Sequence, residues 1–225
     1  SLLGGRASVL LGDYWLVKGI ESVLSVNTFS GKVIRIFSNT LSDLAEGELL
    51  QLQKADTCDT TESDYYRIIY NKTASLFVAS ANTAAISVSA SDEKRKAAKL
   101  YAECLGIAFQ IKDDIFDYEG GNLTGKPSGL DLEERKITLP LLGAFVNAGE
   151  DMEKEIRALV ARADEDAESR KKIVDFVREN GGVDYAIKRL GDYVGKAKSA
   201  LRTMGTGKEV AMLADIADFV AYRKS

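Results

Sequence analysis

No proline occurs before Pro127, and only one other, Pro140, occurs in the 225 residues. Proline removes a backbone donor and clashes with the preceding turn, so helix interiors exclude it. A long proline-free stretch therefore suits long helices, and the apolar spacing agrees. Apolar residues recur three and four positions apart through most of the chain, the period of a helix with one buried face. The spacing predicts helices over 7–27, 31–55, 62–90 and 92–118, then a loop over 119–136. Shorter helices are predicted over 137–148, 150–163, 167–179, 181–204 and 207–223. Asp92 and Glu93 have the right sign for the positive pole of the fourth helix. Gly120-Gly121 should end it, and Asn180-Gly181-Gly182 should separate two later helices. The alternating run Ile86-Ser87-Val88-Ser89-Ala90 is short and reads as a helix end. The expected fold is all-α: one domain across 1–225, a large antiparallel helical bundle around a central cavity.

Composition removes several function classes. Hydrophobic residues make up 45% and charged residues 28%, so a sizeable core and a charged surface are both available. No apolar run approaches the roughly 20 residues of a membrane-spanning helix. No basic segment leading into an apolar one opens the sequence, which argues against secretion and for a cytoplasmic protein. With a net charge of −4 and no basic block, nucleic acid is not an expected partner. Cys58 and Cys104 carry no ligand pattern around them and are expected to be buried, reduced thiols. There is no histidine. His-based triads and His-ligated zinc are thereby excluded, leaving carboxylates, lysines, hydroxyls or a metal to do any chemistry.

The run Asp113-Asp114-Ile115-Phe116-Asp117 closes the predicted helix 92–118. The negative pole of a helix lies at that end, where each acid is disfavoured by roughly 0.3–1 kcal/mol. Three acids there call for a cation. At about 100° per residue, Asp113 and Asp117 share a face, and Asp114 can approach Asp117 from three residues away. Carboxylate oxygens are the hard ligands Mg²⁺ takes, usually with waters retained and phosphate oxygens completing the shell. The alternative is a solvated acidic turn. The surrounding Ile107, Ala108, Ile111, Ile115 and Phe116 make this an unusually apolar place for one.

Candidate anion-binding groups lie on either side. Gly125 and Gly129 flank Lys126 and let the loop fold back over the acids, bringing that lysine to an anion held there. The spacing from Gly120 to Lys126 imitates a nucleotide-binding loop, but Pro127 replaces the required Ser/Thr and no strand precedes it. Lys72 stands in an otherwise small and apolar stretch, either as a second cation for the site or as a stem lying along the surface. Gln110 sits one turn before Asp113 and Asp114 and can face the same place.

Taken in order, these segments resemble the trans-isoprenyl diphosphate synthases, most of all the bacterial octaprenyl- and heptaprenyl-type branch. The resemblance rests on Phe109 through Asp117, Gly125-Lys126-Pro127 and Lys136-Ile137-Thr138-Leu139-Pro140. It extends to Gly12-Asp13-Tyr14, Glu46-Gly47-Glu48-Leu49-Leu50-Gln51 and Lys72-Thr73-Ala74, and so covers essentially the whole chain. It implies a prenyltransferase that extends an allylic diphosphate with isopentenyl diphosphate by Mg²⁺-dependent ionisation and condensation. By the same resemblance Asp113, Asp114 and Asp117 hold metal, with Asp131 nearby through water. Lys72, Lys126 and Lys136 contact the allylic diphosphate, Thr73, Gln110 and Gln51 line its pocket, and a homodimer is expected. Asp113, Asp114, Lys72 and Lys126 would carry the catalysis.

The sequence departs from that pattern in two places. The family's first acidic motif and its paired arginines precede the Gly-Asp-Tyr helix, and the few residues before it here contain neither. The expectation is that an N-terminal part is missing and that these 225 residues alone condense nothing. Arg135 stands where the family usually has glycine, which puts the approach of Lys136 in question. Trp15 is expected either in the floor of the tail cavity or in the core. Three other functions compete: a non-catalytic partner subunit of a prenyl synthase, a terpene cyclase on the same bundle, and a metal-binding bundle without chemistry.

Overall fold

The computed structural model describes residues 4–26, 28–119 and 129–223. All regular elements among them are helical. The first half comprises α1 (Gly5–Leu24), α2 (Ser30–Thr57), α3 (Glu62–Ile69), α4 (Ser75–Ser87) and α5 (Asp92–Glu119). The second half comprises α6 (Leu130–Glu133), α7 (Leu139–Ala148), α8 (Glu150–Val160), α9 (Ala167–Glu179), α10 (Gly182–Leu201) and α11 (Lys208–Tyr222). Asp92 and Glu93 do occupy the first turn of α5. The Gly120-Gly121 stop and Lys126 lie outside the described residues.

Two features differ from the expected spans. A four-residue helix, α6, forms inside the predicted loop. The predicted helix 62–90 is interrupted at Tyr70–Ala74 by a π-helical turn. Such turns admit one extra residue and survive where packing compensates for their looser geometry. Here the packing comes from two glycines on opposite sides. A Cβ at Gly47 of α2 would lie 2.8 Å from Asn71 Cβ and 2.9 Å from Lys72 N. A Cβ at Gly106 of α5 would lie 2.6 Å from Ala74 Cα. The backbone of the π turn is thus pressed between two helices at contact distances that no side chain would permit.

Helix α5 runs through the centre, packed between α4 and α10, with α7 and α11 also against it. Its buried residues include Ala97, Tyr101, Leu105, Ala108, Ile111, Ile115 and Tyr118, the three- and four-residue stripe read from the sequence. Ile111, Ile115, Tyr118, Leu132, Leu139 and Leu141 are fully buried. Burying side chains of this size contributes about 1.5–3 kcal/mol each. This anchors the C-terminal end of α5 to α6 and α7, where the acids stand. Cys58 and Cys104 are buried free thiols, as expected. Trp15 is not a core residue: it is 65% exposed on α1, which packs on α2. No described helix is long and apolar enough to cross a membrane.

Candidate active site

The π turn sets the site. It carries Lys72 and Thr73 toward the C-terminal half of α5. There they join Gln51 and Lys54 of α2, Tyr65, Ile68 and Ile69 of α3, and Gln110 and Asp114 of α5 around one pocket. Asp131 of α6 and the segment Lys136–Thr138 close it, leaving a cavity of about 90 Å³. Ala55, Ile68, Ile69 and Ile137 supply its apolar surface, and polar and charged side chains converge on the rest. Gln51, Lys72, Thr73, Gln110, Asp114, Asp131 and Lys136 were all singled out in the sequence, and the structure brings these seven together.

Hydrogen bonds fix the pocket's polar wall. Thr73 Oγ1 donates to Gln110 Oε1 at 3.0 Å, and Gln110 Nε2 donates to Asp114 Oδ1 at 2.9 Å. The Tyr65 hydroxyl donates to Asp114 Oδ2 at 2.6 Å. On the facing side Lys72 Nζ reaches Gln51 Oε1 at 3.2 Å and Glu48 Oε2 at 2.8 Å. Lys136 Nζ stands 2.5 Å from Glu134 Oε2 and 3.4 Å from Asp131 Oδ1. Burial alone would lower the Lys136 pKa, but these two acids outweigh it and raise it, so the ammonium stays charged.

The three acids of α5 diverge. Asp114 turns into the pocket. Asp113 pairs with Arg223, just beyond α11, whose guanidinium lies 4.4 Å from the Phe109 ring centroid and 5.4 Å from that of Phe116. Asp117 caps the start of α6, accepting from Leu130 N at 2.9 Å and from Asp131 N at 3.2 Å. Among the described residues no three acids converge on a single point. Their chemistry still suits a hard divalent cation. Mg²⁺ is usually held by one or two carboxylates with waters and substrate phosphates. Burial and the neighbouring Asp131 push Asp114 up to about 7 and Asp117 up to about 6. This carboxylate cluster therefore stores repulsion that a cation would relieve.

The negative pole of α5 is itself answered by a cation. Arg178 of α9 donates from Nε at 3.1 Å and from Nη2 at 2.8 Å to the carbonyl of Tyr118. Sequence reasoning missed Arg178 and Arg223, which act across 60 and 110 positions of chain. It also missed Tyr65 and Lys54. Tyr65, 3% exposed, falls on the buried stripe of α3 with Ile68 and Ile69, and that placement was the available signal.

The comparisons with known proteins decide the family. The profile of the family described as Polyprenyl synthetase matches residues 1–177. The chain belongs to the polyprenyl synthetase family. Octaprenyl diphosphate synthase of Escherichia coli K12 is 33% identical over 202 residues, covering 89% of this chain and 62% of that one. A decaprenyl diphosphate synthase structure from Rhodobacter capsulatus superposes with a TM-score of 0.87 at 32% identity, covering 100% of this chain and 69% of that one. A polyprenyl synthase of Caulobacter crescentus CB15, complexed with calcium and isoprenyl diphosphate, gives 0.87 at 32% identity, covering 99% and 67%. The chain spans about three fifths of the length of the first curated relatives it matches.

Arg135 lies between α6 and the pocket segment Lys136–Thr138. It adopts φ 52°, the left-handed region that favours glycine. Lys136 N donates to the Asp131 carbonyl at 2.9 Å and Arg135 N to that of Leu132 at 3.1 Å. This is the bonding of a glycine-type helix stop, and it aims Lys136 into the pocket whichever residue occupies 135. The Arg135 side chain compensates for its backbone strain by pairing with Asp164. Arg135→Gly should relieve roughly 1 kcal/mol of strain and lose a surface ion pair, two effects that oppose each other. Chemical denaturation should show it near neutral. Arg135→Ala keeps the strain and loses the pair, and should cost about 1 kcal/mol more. Equal midpoints for the two variants would contradict this account.

Proposed function

We propose that this chain carries the diphosphate half of a prenyltransferase that extends an allylic diphosphate with isopentenyl diphosphate, using Mg²⁺. The observation that carries the reading is the single pocket shared by Lys72, Thr73, Gln51, Gln110, Asp114, Asp131 and Lys136. Two lysines beside carboxylates form a site for a metal-bridged polyanion, since each sign neutralises part of the incoming group. Asp113, Asp117 and Asp131 supply ligand oxygens and negative field for the metal, and Asp114 adds to that field. Bound there, Mg²⁺ would neutralise charge on the departing diphosphate.

The remaining work falls to the protein. Lys72 and Lys136 stand fixed where negative charge grows as the allylic C–O bond breaks, with Lys126 proposed as a third cation. Ile68, Ile69 and Ile137 exclude water from the reacting end of the substrate. The relatives found are named octaprenyl, nonaprenyl and decaprenyl diphosphate synthases, and linear products of that kind favour elongation over cyclisation. One helical unit across 1–225, a homodimeric assembly and a cytoplasmic location belong to the same proposal.

The test is calorimetric titration with a non-ionising thiolo analogue of an allylic diphosphate. Binding should require Mg²⁺, weaken about 10- to 100-fold in Lys72→Ala through loss of a charge-assisted contact, and vanish in Asp113→Ala. Metal-independent binding, or wild-type affinity in both variants, would refute the proposal.

The raised acids add a linkage. Asp114 and Asp117 titrate near 7 and 6 in the folded chain and near the ordinary 3.8 when unfolded. Between those values the folded state binds more protons, so cation-free stability falls as pH rises from about 4 to 7. Mg²⁺ should therefore raise Tm by about 3–5 °C at pH 7.5 and hardly at all at pH 5. Equal shifts at both pH values, read by scanning calorimetry, would sink this expectation.

A further inference from the structure

The surroundings of Asp114 set it apart from the other acids of α5. It is 4% exposed, whereas the Asp113 side chain is 38% exposed. Both its oxygens already accept from the protein, one from Tyr65 and one from Gln110. Mg²⁺ dehydrates reluctantly and keeps several waters. With each oxygen already held by one hydrogen bond, Asp114 presents less free carboxylate to a hydrated ion than the more exposed Asp113 does.

The hydrogen bonds around it have a fixed polarity. Asp114 accepts through both oxygens, and Gln110 turns its amide nitrogen to one of them. Its oxygen then faces Thr73, and Thr73 must donate. The strap offers the pocket the second N–H of Gln110 and the Thr73 oxygen in a single arrangement. Reversal of any one member would break the next bond.

We propose that Asp114 serves the site as the anchor of this strap and not as a metal ligand, and that Tyr65 is the positioning residue that holds Asp114. The inference rests on the reading that the pocket takes a metal-bridged diphosphate. Tyr65 touches neither metal nor substrate. It orients the carboxylate that orients the amide.

The test uses the protein in its full natural length, with Mn²⁺ binding followed by electron paramagnetic resonance under saturating thiolo analogue. Analogue affinity is measured separately by calorimetry. Asp113→Asn should weaken Mn²⁺ binding about 10-fold or more. Asp114→Asn and Tyr65→Phe should each leave Mn²⁺ affinity within about 3-fold while weakening the analogue about 5- to 10-fold. The double variant should be no worse than Asp114→Asn alone, because both act through one strap. The proposal is overturned if Asp114→Asn loses Mn²⁺ as far as Asp113→Asn does. It is equally overturned if Tyr65→Phe, the variant least disturbing to the fold, leaves analogue affinity unchanged. Unaltered binding in Asp113→Asn and Lys72→Ala as well would mark failure of the diphosphate reading itself.

Discussion

Gly106→Ala is expected to lower stability by about 2 kcal/mol and to weaken binding of an allylic diphosphate analogue at least about 10-fold. Two effects oppose each other. Alanine is the better helix former, by about 1 kcal/mol. Against that, the new methyl would stand 2.6 Å from Ala74 Cα, 2.9 Å from Ala74 Cβ and 3.2 Å from Phe77 Cδ2. The nearest of these is backbone, which cannot swing aside as a side-chain end can. Overpacking of this kind costs about 1–3 kcal/mol, more where backbone must move, so it outweighs the propensity gain. What moves is the π turn, and with it Lys72 and Thr73. Gly195→Ala on α10 is the control, since nothing lies within 4 Å of its Cβ position. It should be neutral or slightly stabilising. If urea midpoints and analogue affinities of the two variants matched, the wedged π turn would not be what holds the site.

The second large effect is expected at Asp117. Removing its carboxylate in Asp117→Ala leaves the amides of Leu130 and Asp131 without their cap, a loss of about 1 kcal/mol. The functional loss should exceed the stability loss. Asp131 is released from α5, and Lys136 is tied to Asp131 through both backbone and side chain. Mg²⁺-dependent analogue binding should fall about 100-fold or more. Asp117→Asn separates the two roles. Asparagine keeps one of the two acceptors, sets its NH2 against the other amide and removes the repulsion with Asp131, so at pH 7.5 it should cost less stability than Asp117→Ala. Binding should still fall, because the neutral amide is a poor ligand for a hard cation. A stable Asp117→Asn that binds as tightly as wild type would show Asp117 to be only a helix cap.

The limits of sequence reading follow from range. The long helices were legible because each depends on spacing within itself and on the absence of proline. The residues of Lys72-Thr73, Gln110 and the acidic run were legible because their types and order suffice to propose an anion site. The π turn was not, because nothing within Tyr70–Ala74 specifies it. It depends on Gly47 and Gly106, each a close approach visible only once three helices are packed. The divergence of Asp113, Asp114 and Asp117 was hidden for the same reason. Spacing places Asp113 and Asp117 on one face, but Arg223, Tyr65 and the amides of α6 decide where each carboxylate goes. Arg135 raised a doubt about Lys136 that the backbone resolves, since the hydrogen bonds ending α6 do not involve its side chain.

The extra residue in the turn at Tyr70–Ala74 has a consequence for what lies on each side of it. A continuous α-helix would lock the inward stripe of Tyr65, Ile68 and Ile69 to that of Ser75 and Ile86 through one fixed angular phase. The interruption uncouples them. Substitutions before the turn and after it can then be accommodated separately, because the offset at Tyr70–Ala74, and not one helical phase, sets where each stripe faces.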